Sequence, residues 1–297
     1  MNVQDMRARL KHKLSGDHFV TAPGIFEMIS LRVADRMGFD CLYMTGFGTV
    51  ASYLGEPDAG LATYSDMVNR VTAFCRDSQT PIICDGDTGY GGLLNVAHTV
   101  KGYERAGAAA IQLEDQEFPK KCGHTKGRRV IACDDMVKKI EVAIEARIDP
   151  NFLIVARTDA RSALGLDEAL RRGEAYVKAG ADVLFIESPE SVEELEKIGR
   201  HFDVPLLVNI VEGGRTPQLP PAELKRLGFS LAIYPASGFL AMTQALQKVY
   251  TEIKAGNGTQ SASEGVNGAS ATLYSFEAMC ELMGFPAVWQ FDSRHAQ

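Results

Sequence analysis

Short apolar runs alternate with amphipathic stretches along most of the chain. The runs are rich in Ile, Val and Leu and have the length of buried β-strands. They lie at 40–46, 81–87, 109–115, 152–159, 182–188, 205–211 and 230–236, with an eighth near 18–24. Between them the pattern predicts helices over 25–38, 64–77, 94–106, 134–147, 167–179, 191–200, 221–227 and 238–255. The charged N-terminus adds a further short amphipathic helix.

Three helix-to-strand junctions share one pattern, in which a glycine is followed at once by an apolar run: "ERAGAAAIQLE", "VKAGADVLFIE" and "KRLGFSLAIYP". Glycine suits the left-handed residue that ends a helix, and continuous apolar strands are typical of a parallel sheet covered by helices. About eight such repeats in about 250 residues match a (β/α)8 barrel. A doubly wound sheet is the alternative, but no GxGxxG loop follows the first strand. We therefore predict an α/β fold, a TIM-type barrel over residues 1–255.

The C-terminal part of the chain has a different composition. Residues 256–272 are rich in Gly, Ser and Asn and are interpreted as a flexible linker, and 273–297 return to helical periodicity. An amphipathic helix beyond a linker must bury its apolar face on its own barrel or on a neighbour's. The expectation is a helical extension, swapped between subunits of a homo-oligomer, such as a homotetramer built as a dimer of dimers.

The overall charge excludes one class of partner. The 297 residues carry a formal net charge of −7, whereas nucleic-acid binding needs clustered excess Lys and Arg. The N-terminus has no apolar core of a signal peptide, and no run approaches the ~18 apolar residues of a membrane span. The six cysteines form no CxxC pair. The expectation is a cytoplasmic protein with free thiols, bound to neither nucleic acid nor membrane.

Polar side chains follow the predicted strands at the point where each strand ends. In a barrel this end builds the active site, so an enzyme is favoured over a structural protein. These residues are Asp85, Asp87, Glu114, Arg157, Asp159, Glu187, Asn209 and Glu212.

Four carboxylates have the character of a metal site. Asp85 and Asp87 lie on one face of a strand end, Glu114 ends the next strand, and Asp58 lies in the loop "GEPDAG". Hard oxygen ligands without His or Cys favour Mg²⁺, or Mn²⁺, bound partly through water. The alternative is a hydrogen-bonded acidic rim without metal.

The stretch "EDQEFPKKCGHTKGRR" (114–129) sets Cys122 and His124 two residues apart among basic side chains. A catalytic proton donor on a mobile loop is one interpretation, and an ordinary polar connection is the other.

Several motifs carry a resemblance to a known family. In order, "DGDTGYGG", "KKCGH", "VARTDA" and "NIVEGGRTP" resemble motifs of the isocitrate lyase/phosphoenolpyruvate mutase superfamily, over roughly residues 15–255. "KKCGH" is similar to the signature of the lyase branch, whereas relatives acting on phosphonates or decarboxylating oxaloacetate generally lack that cysteine. The short chain resembles the 2-methylisocitrate and 2,3-dimethylmalate lyases, and "EGGRTP" and "FEAMCELMGF" are more similar to the second group.

The resemblance implies a carbon–carbon lyase that cleaves a small anionic 2-hydroxy di- or tricarboxylate to an α-keto acid, such as pyruvate, and a carboxylic acid. Mg²⁺ would be attached through Asp85 and mostly through water to Asp58, Asp87 and Glu114. It would chelate the C2 hydroxyl and its carboxylate.

The resemblance also assigns roles to the remaining residues. Cys122 would protonate the enolate left after cleavage, and Gly123 would let its loop close over the substrate. The other expected roles are anion binding and tuning of the thiol by Lys121 and His124, binding of the α-carboxylate by backbone amides of a loop at Thr45, Gly46 and Phe47, carboxylate pairing by Arg157, pocket lining by Glu187 and Asn209, and proton relay by Tyr43.

Three alternatives stay open. The same barrel and metal would suit an oxaloacetate hydrolase or decarboxylase, or phosphonopyruvate-type chemistry. A non-catalytic binding barrel is the third, although it predicts gaps in the metal set or at Cys122. A third substrate carboxylate would need an extra cation, for which Arg215 is a candidate.

Overall fold

The protein's structure, a computed structural model, describes residues 2–123, 127–260 and 273–295. The eight strands are β1 (Val20–Ile25), β2 (Leu42–Met44), β3 (Ile82–Asp85), β4 (Ala110–Glu114), β5 (Leu153–Thr158), β6 (Val183–Ile186), β7 (Leu206–Asn209) and β8 (Leu231–Tyr234). They are all parallel and pair in sequence order, and β8 pairs with β1 to close the barrel. The predicted barrel is confirmed.

The helices that the structure describes are α1 (Val3–Ser15), α2 (Met28–Arg36), α3 (Gly46–Leu54), α4 (Tyr64–Asp77), α5 (Leu93–Ala106), α6 (Cys133–Ala146), α7 (Ala160–Leu164), α8 (Leu166–Lys178), α9 (Val192–His201), α10 (Pro221–Arg226), α11 (Ser237–Lys254), α12 (Phe276–Met283) and α13 (Phe285–His295). The three junction glycines Gly107, Gly180 and Gly228 have φ of 100°, 105° and 101°. These left-handed residues turn each helix back toward the next strand, as the sequence predicts.

Two apolar layers hold the barrel together. The larger lies between strands and helices and includes Met44, Phe74, Tyr103 and Ile154, all fully buried. The smaller fills the lumen, where Phe185 is among the side chains packed together. Because the strands are buried on both faces, their sequences are continuously apolar. All strands point the same way, so their C-terminal ends form one rim, and polar side chains collect there.

The chain divides into two compact units, Met1–Ser237 and Gly238–Gln297. The second contains almost all of α11 together with α12 and α13, so the helix predicted at 238–255 belongs by its contacts to the C-terminal unit. Gly284, with φ of 87°, separates α12 from α13 within the predicted tail helix. Most of the predicted linker lies outside the described residues. None of the described helices is both long and apolar enough to cross a membrane.

Two helices were not expected from the sequence. Helix α3 begins with the residues "GFG", although glycine disfavours helices, whereas the family resemblance implies a loop at residues 45–47. Thr45 is instead the N-cap of α3, and Gly46 and Phe47 begin its first turn. The second unexpected helix, α7, is a single short turn after β5.

Candidate active site at the C-terminal rim of the barrel

The strand ends bring five of the predicted residues to one buried place. Asp85 ends β3, Glu114 ends β4, Arg157 lies in β5, Glu187 follows β6 and Asn209 ends β7. Each of these side chains is buried, although it is charged or polar. Buried charge is unfavourable unless it is paired, so the rim is not a solvated edge, and its charges must be balanced by one another or by a ligand. Glu212, by contrast, is exposed and accepts a hydrogen bond from Ser237.

The acidic group, Asp58, Asp85, Asp87 and Glu114, surrounds a lysine that we did not assign to the site from the sequence. Lys120 Nζ lies 2.5 Å from Asp58 Oδ1 and 2.6 Å from Asp87 Oδ1, and the lysine is only 3% exposed. The signal was present in "KKCGH", but two adjacent lysines in a loop give no periodicity that tells which one points inward. Lys121, which is predicted from the sequence to bind an anion and tune the thiol, is exposed.

The acidic group carries more negative charge than Lys120 balances. Burial raises the pKa of Asp87 to about 7, with Lys120 opposing and Asp85 adding to the rise. Burial likewise raises the pKa of Glu114 well above its usual range, against the effect of Arg157. Burial would lower the pKa of Lys120, but the carboxylates around it raise that pKa well above the ordinary value. The lysine therefore stays charged, and the group still favours a further cation or proton.

The donor set of the acidic group fits Mg²⁺. All its donors are carboxylate oxygens, and buried Glu114 Oε1 has no hydrogen-bond partner among the described residues. No three His, Cys, Asp or Glu side chains in the described ranges converge as ligands of one ion. Mg²⁺ typically keeps several waters and takes only one or two carboxylates, so these residues suit a largely water-mediated site.

The N-terminus of α3 faces the acidic group. A Cβ built on Gly46 would lie 2.5 Å from Asp85 Oδ2, so only glycine allows this approach. The first amides of a helix have no acceptor within the helix and attract anions. Thr45 makes no side-chain cap there. The first turn of α3 therefore lies beside Asp85, and at its N-cap Thr45 N donates to the carbonyl oxygen of Ile25 at 3.2 Å.

The Cys122 segment, residues 116–130, crosses the rim; its residues 116–123 and 127–130 are described. A bridge between Gln116 and Val130 closes its base. Cys122 N donates to the Asp58 carbonyl oxygen at 3.1 Å, which ties the thiol residue to the loop of the acidic group. Cys122 is partly exposed, whereas the other five cysteines are buried. His124 lies outside the described residues.

Arg157 is the central cation of the opposite half of the rim. Its Nε and Nη2 donate to the two oxygens of Asp159 at 2.9 Å each. Nη1 lies 3.4 Å from Glu114 Oε2, and Nη2 lies 3.2 Å from Glu187 Oε2. Asn209 Nδ2 donates to the same Glu187 oxygen at 3.2 Å. A bidentate contact on one edge thus orients the guanidinium.

Tyr43 lies deeper, in the lumen. Its hydroxyl donates to Gln112 Oε1 at 2.9 Å, and Gln112 Nε2 lies 3.4 Å from Asp85 Oδ1. Burial raises the pKa of Tyr43 well above its usual value, and Asp85 raises it further. Gln112 was missed from the sequence, although an amide inside the apolar run "AIQLE" was a signal for a lumen contact.

Comparison with known proteins identifies the family to which the chain belongs. Residues 9–254 match the family model for phosphoenolpyruvate phosphomutase. The chain is 44% identical to the 2,3-dimethylmalate lyase of Eubacterium barkeri over 97% of this chain and 98% of that protein. The chain belongs to the phosphoenolpyruvate mutase/isocitrate lyase superfamily. Within this superfamily it is an enzyme of the carbon–carbon lyase type.

Two further superfamily members show the range of related activities. The 2-methylisocitrate lyase of Aeropyrum pernix is 43% identical over 82% of this chain and 78% of that protein. The structure of an oxaloacetate acetylhydrolase with the inhibitor 3,3-difluorooxalacetate has a TM-score of 0.90 at 32% identity, covering 98% of this chain and 97% of that one. The fold is therefore shared by lyases and hydrolases, and the substrate must be inferred from the site.

Proposed function

We propose that this lyase cleaves a 2-hydroxy dicarboxylate of the 2,3-dimethylmalate type into pyruvate and a simple carboxylic acid. The observation that carries the proposal is the position of Cys122, whose backbone N–H donates a hydrogen bond to the backbone of Asp58, a member of the acidic group. The C2–C3 bond breaks, its electron pair stays on C3 as an enolate, the C2 hydroxyl loses its proton, and C3 gains one. From 2,3-dimethylmalate this balance gives pyruvate and propionate.

The acidic group would hold Mg²⁺, with Asp85 attached directly and Asp58, Asp87 and Glu114 mostly through water. Bound there, the ion would lower the pKa of the substrate hydroxyl and stabilise the keto oxygen of the product. Lys120 keeps a fixed positive charge beside Asp58 and Asp87 and so limits their mutual repulsion.

Two sets of donors would hold the substrate carboxylates. The first-turn amides of α3, next to Asp85, suit the carboxylate on C2, because a helix N-terminus favours an anion. Arg157 suits a carboxylate as well, since its planar fork is already oriented by Asp159. Glu187 and Asn209 would line the pocket beside it.

Cys122 would donate the proton to C3. A free thiol has a pKa of about 8.5, so it is protonated at neutral pH yet gives up its proton more readily than an alcohol. The partial exposure of Cys122 leaves it reachable from the rim. Tyr43 would relay the substrate's hydroxyl proton with its own hydroxyl group, which Gln112 orients through a contact that Asp85 in turn supports.

The distribution of cations favours a dicarboxylate over a tricarboxylate. Arg215, the candidate partner for a third carboxylate, is bound to Glu190 at 3.2 Å on the surface. Arg161 contacts the same Glu190 at 2.6 Å. Within the described part of the rim, Lys120 and Arg157 are the buried cations nearest the acidic group. Among the described residues Arg128 is a further buried cation of the rim, but it is paired with Asp159, so these residues suit a dicarboxylate better than 2-methylisocitrate.

Pyruvate release is the test of this proposal. With Mg²⁺ present, lactate dehydrogenase would report pyruvate from 2,3-dimethylmalate, 2-methylisocitrate and 2-methylmalate in parallel, since each carries a methyl group on C2. We expect the highest kcat/KM with 2,3-dimethylmalate or a 2-alkylmalate, and loss of activity in EDTA. A higher kcat/KM with 2-methylisocitrate would contradict the assignment of a dicarboxylate substrate. Absence of pyruvate release from all three compounds would contradict the proposed class of lyase substrates.

Oxaloacetate hydrolysis is the second candidate, because the similarity to an oxaloacetate acetylhydrolase structure extends over almost the whole chain. A direct assay for oxalate and acetate from oxaloacetate tests it. The thiol of Cys122 has no part in hydrolysis by an activated water, so its presence favours the lyase. The homo-oligomer and the cytoplasmic location stay predictions.

A further inference from the structure

One buried carboxylate is shared by two arginines from different parts of the chain. Asp159 Oδ1 accepts from Arg157 Nη2 at 2.9 Å and from Arg128 Nη1 at 2.5 Å. Asp159 is fully buried, and the side chain of Arg128 is 2% exposed. A desolvated charge-assisted pair of this kind is a strong and directional contact. Arg128 is therefore a buried, paired residue of the rim and not a surface charge.

Asp159 is fixed to the barrel from behind. Its backbone N–H donates to Asp115 Oδ1 at 2.8 Å. Asp115 Oδ2 in turn accepts from Thr158 Oγ1 and Tyr176 Oη at 2.7 Å each and from Arg172 Nη1 at 3.0 Å. Because these donors come from β5 and α8, the position of Asp159 is set by the barrel itself.

Arg128, in contrast, belongs to the Cys122 segment. Besides Asp159 it reaches Ser162 Oγ through Nη2 at 2.7 Å. On the other flank of the same segment, a Cβ built on Gly123 would lie 2.2 Å from Arg157 Nη2. Both described flanks of the segment therefore meet the barrel at the Arg157–Asp159 pair, one by backbone contact and one through Arg128.

The carboxylate that the two arginines share also affects the electrostatic potential around Arg157. This guanidinium faces Asp159, Glu114 and Glu187. Three carboxylates against one arginine would leave little positive potential for a substrate. The second guanidinium on Asp159, from Arg128, offsets one of these negative charges.

We propose that Arg128 is a positioning residue, which anchors the Cys122 segment to Asp159. It also keeps Arg157 oriented and preserves the positive electrostatic potential that Arg157 presents to a substrate carboxylate. The anchoring rests on geometry alone, and the effect on the substrate rests on the proposed function. Arg128 itself need not touch the substrate. Its loss should thus affect both the accessibility of Cys122 and the binding of the anion.

The test compares Arg128→Gln and Arg128→Lys with Arg129→Gln as the matched control. Arg129 is the next residue, but its side chain is 78% exposed and pairs with Glu117. The first readout is the rate at which iodoacetamide alkylates Cys122 in the folded protein. It is selective, because the other five cysteines are buried. The second readout is KM and kcat with 2,3-dimethylmalate and Mg²⁺, with a thermal melt to verify folding.

We expect Arg128→Gln to raise the alkylation rate and KM by about tenfold each, since a hydrogen bond to a charged group contributes roughly that factor or more. We expect kcat to fall less than KM rises. Arg128→Lys should lie between Arg128→Gln and the wild type in both readouts, because it keeps the charge but cannot span Asp159 and Ser162 together. Arg129→Gln should match the wild type.

Equal alkylation rates in Arg128→Gln and Arg129→Gln would overturn the anchor, whatever the kinetics show. A lower melting temperature with unchanged alkylation and KM would reduce Arg128 to a structural role and would also overturn the proposal. The alkylation readout needs no substrate. If the wild type released no pyruvate, the proposed function would fail while a difference in alkylation still supported the anchor.

Discussion

Gly123 packs its backbone against the guanidinium of Arg157, so closely that a Cβ at position 123 would lie 2.2 Å from Nη2 and 2.9 Å from Glu187 Oε2. Arg157 cannot yield easily, because Asp159 binds it through two nitrogens. A glycine at 123 is therefore required by the close approach of the Cys122 segment to the cation that we propose binds the substrate.

Gly123→Ala should for this reason impair activity without unfolding the barrel. Either Arg157 or the thiol residue must move by an ångström or more, and such a misplacement can cost about 10²-fold in kcat/KM. Gly92→Ala is the matched control, since nothing lies within 4 Å of a Cβ built there. Steady-state kinetics and thermal melts of both variants check this. Equal kcat/KM in the two variants would contradict the close contact.

Cys122→Ser should retain substrate binding and lose turnover. Serine preserves size but is a far weaker acid, so kcat should fall by about 10²–10⁴-fold, the usual contribution of a general acid, while KM changes little. Cys133→Ser is the control, because Cys133 is a buried residue at the start of α6. Wild-type turnover in Cys122→Ser would remove the thiol from the mechanism. An equal loss in Cys133→Ser would point to structural damage instead.

The barrel was predictable because its signals are local. Each of the three junction glycines ends a helix, and each following strand is apolar on both faces, so the pattern of elements alone gives the architecture. Asp85, Glu114 and Arg157 were predictable for the same reason, since a polar residue at the C-terminal end of a barrel strand lies on the rim that builds the active site.

The parts that the sequence did not reveal depend on contacts between distant segments. Lys120 is directed inward by Asp58, which is 62 positions away, and not by its neighbours in the loop. Arg128 binds Asp159 from 31 positions away. Helix α3 forms although two glycines stand in its first turn, where Gly46 is held against Asp85. Helix propensity and loop patterns are local, so they cannot predict contacts between distant parts of the chain that override them.

Asp115→Asn should destabilise the barrel measurably. Asp115 is fully buried and accepts from Arg172 and Tyr176, so the neutral amide removes a buried counter-charge of the Arg172 guanidinium, which then keeps its pair with Glu168. Breaking a buried pair costs about 3–5 kcal/mol, and each kcal/mol lowers Tm by roughly 2–4 °C in a chain of this size. We therefore expect a Tm lower by about 6 °C or more.

Asp167→Asn is the control for that melt. Asp167 pairs with Lys197 on the surface, where its side chain is 90% exposed. Such pairs contribute at most about 1 kcal/mol. Equal melting temperatures for the two variants would show that Asp115 has no special part in fixing the end of β5.

Lys120→Met should make the protein more responsive to Mg²⁺. Without its ammonium group, Asp58 and Asp87 lose the cation that lies within 2.6 Å of both, and their repulsion destabilises the metal-free fold. A divalent cation restores the balance, so the same Mg²⁺ concentration should raise Tm more in Lys120→Met than in the wild type. Lys121→Met is the control, because Lys121 is exposed and should leave the response unchanged. Thermal melts in EDTA and in MgCl₂ measure both effects without any substrate. An Mg²⁺-induced rise in Tm that is the same in all three proteins would show that Lys120 and the metal do not share these carboxylates.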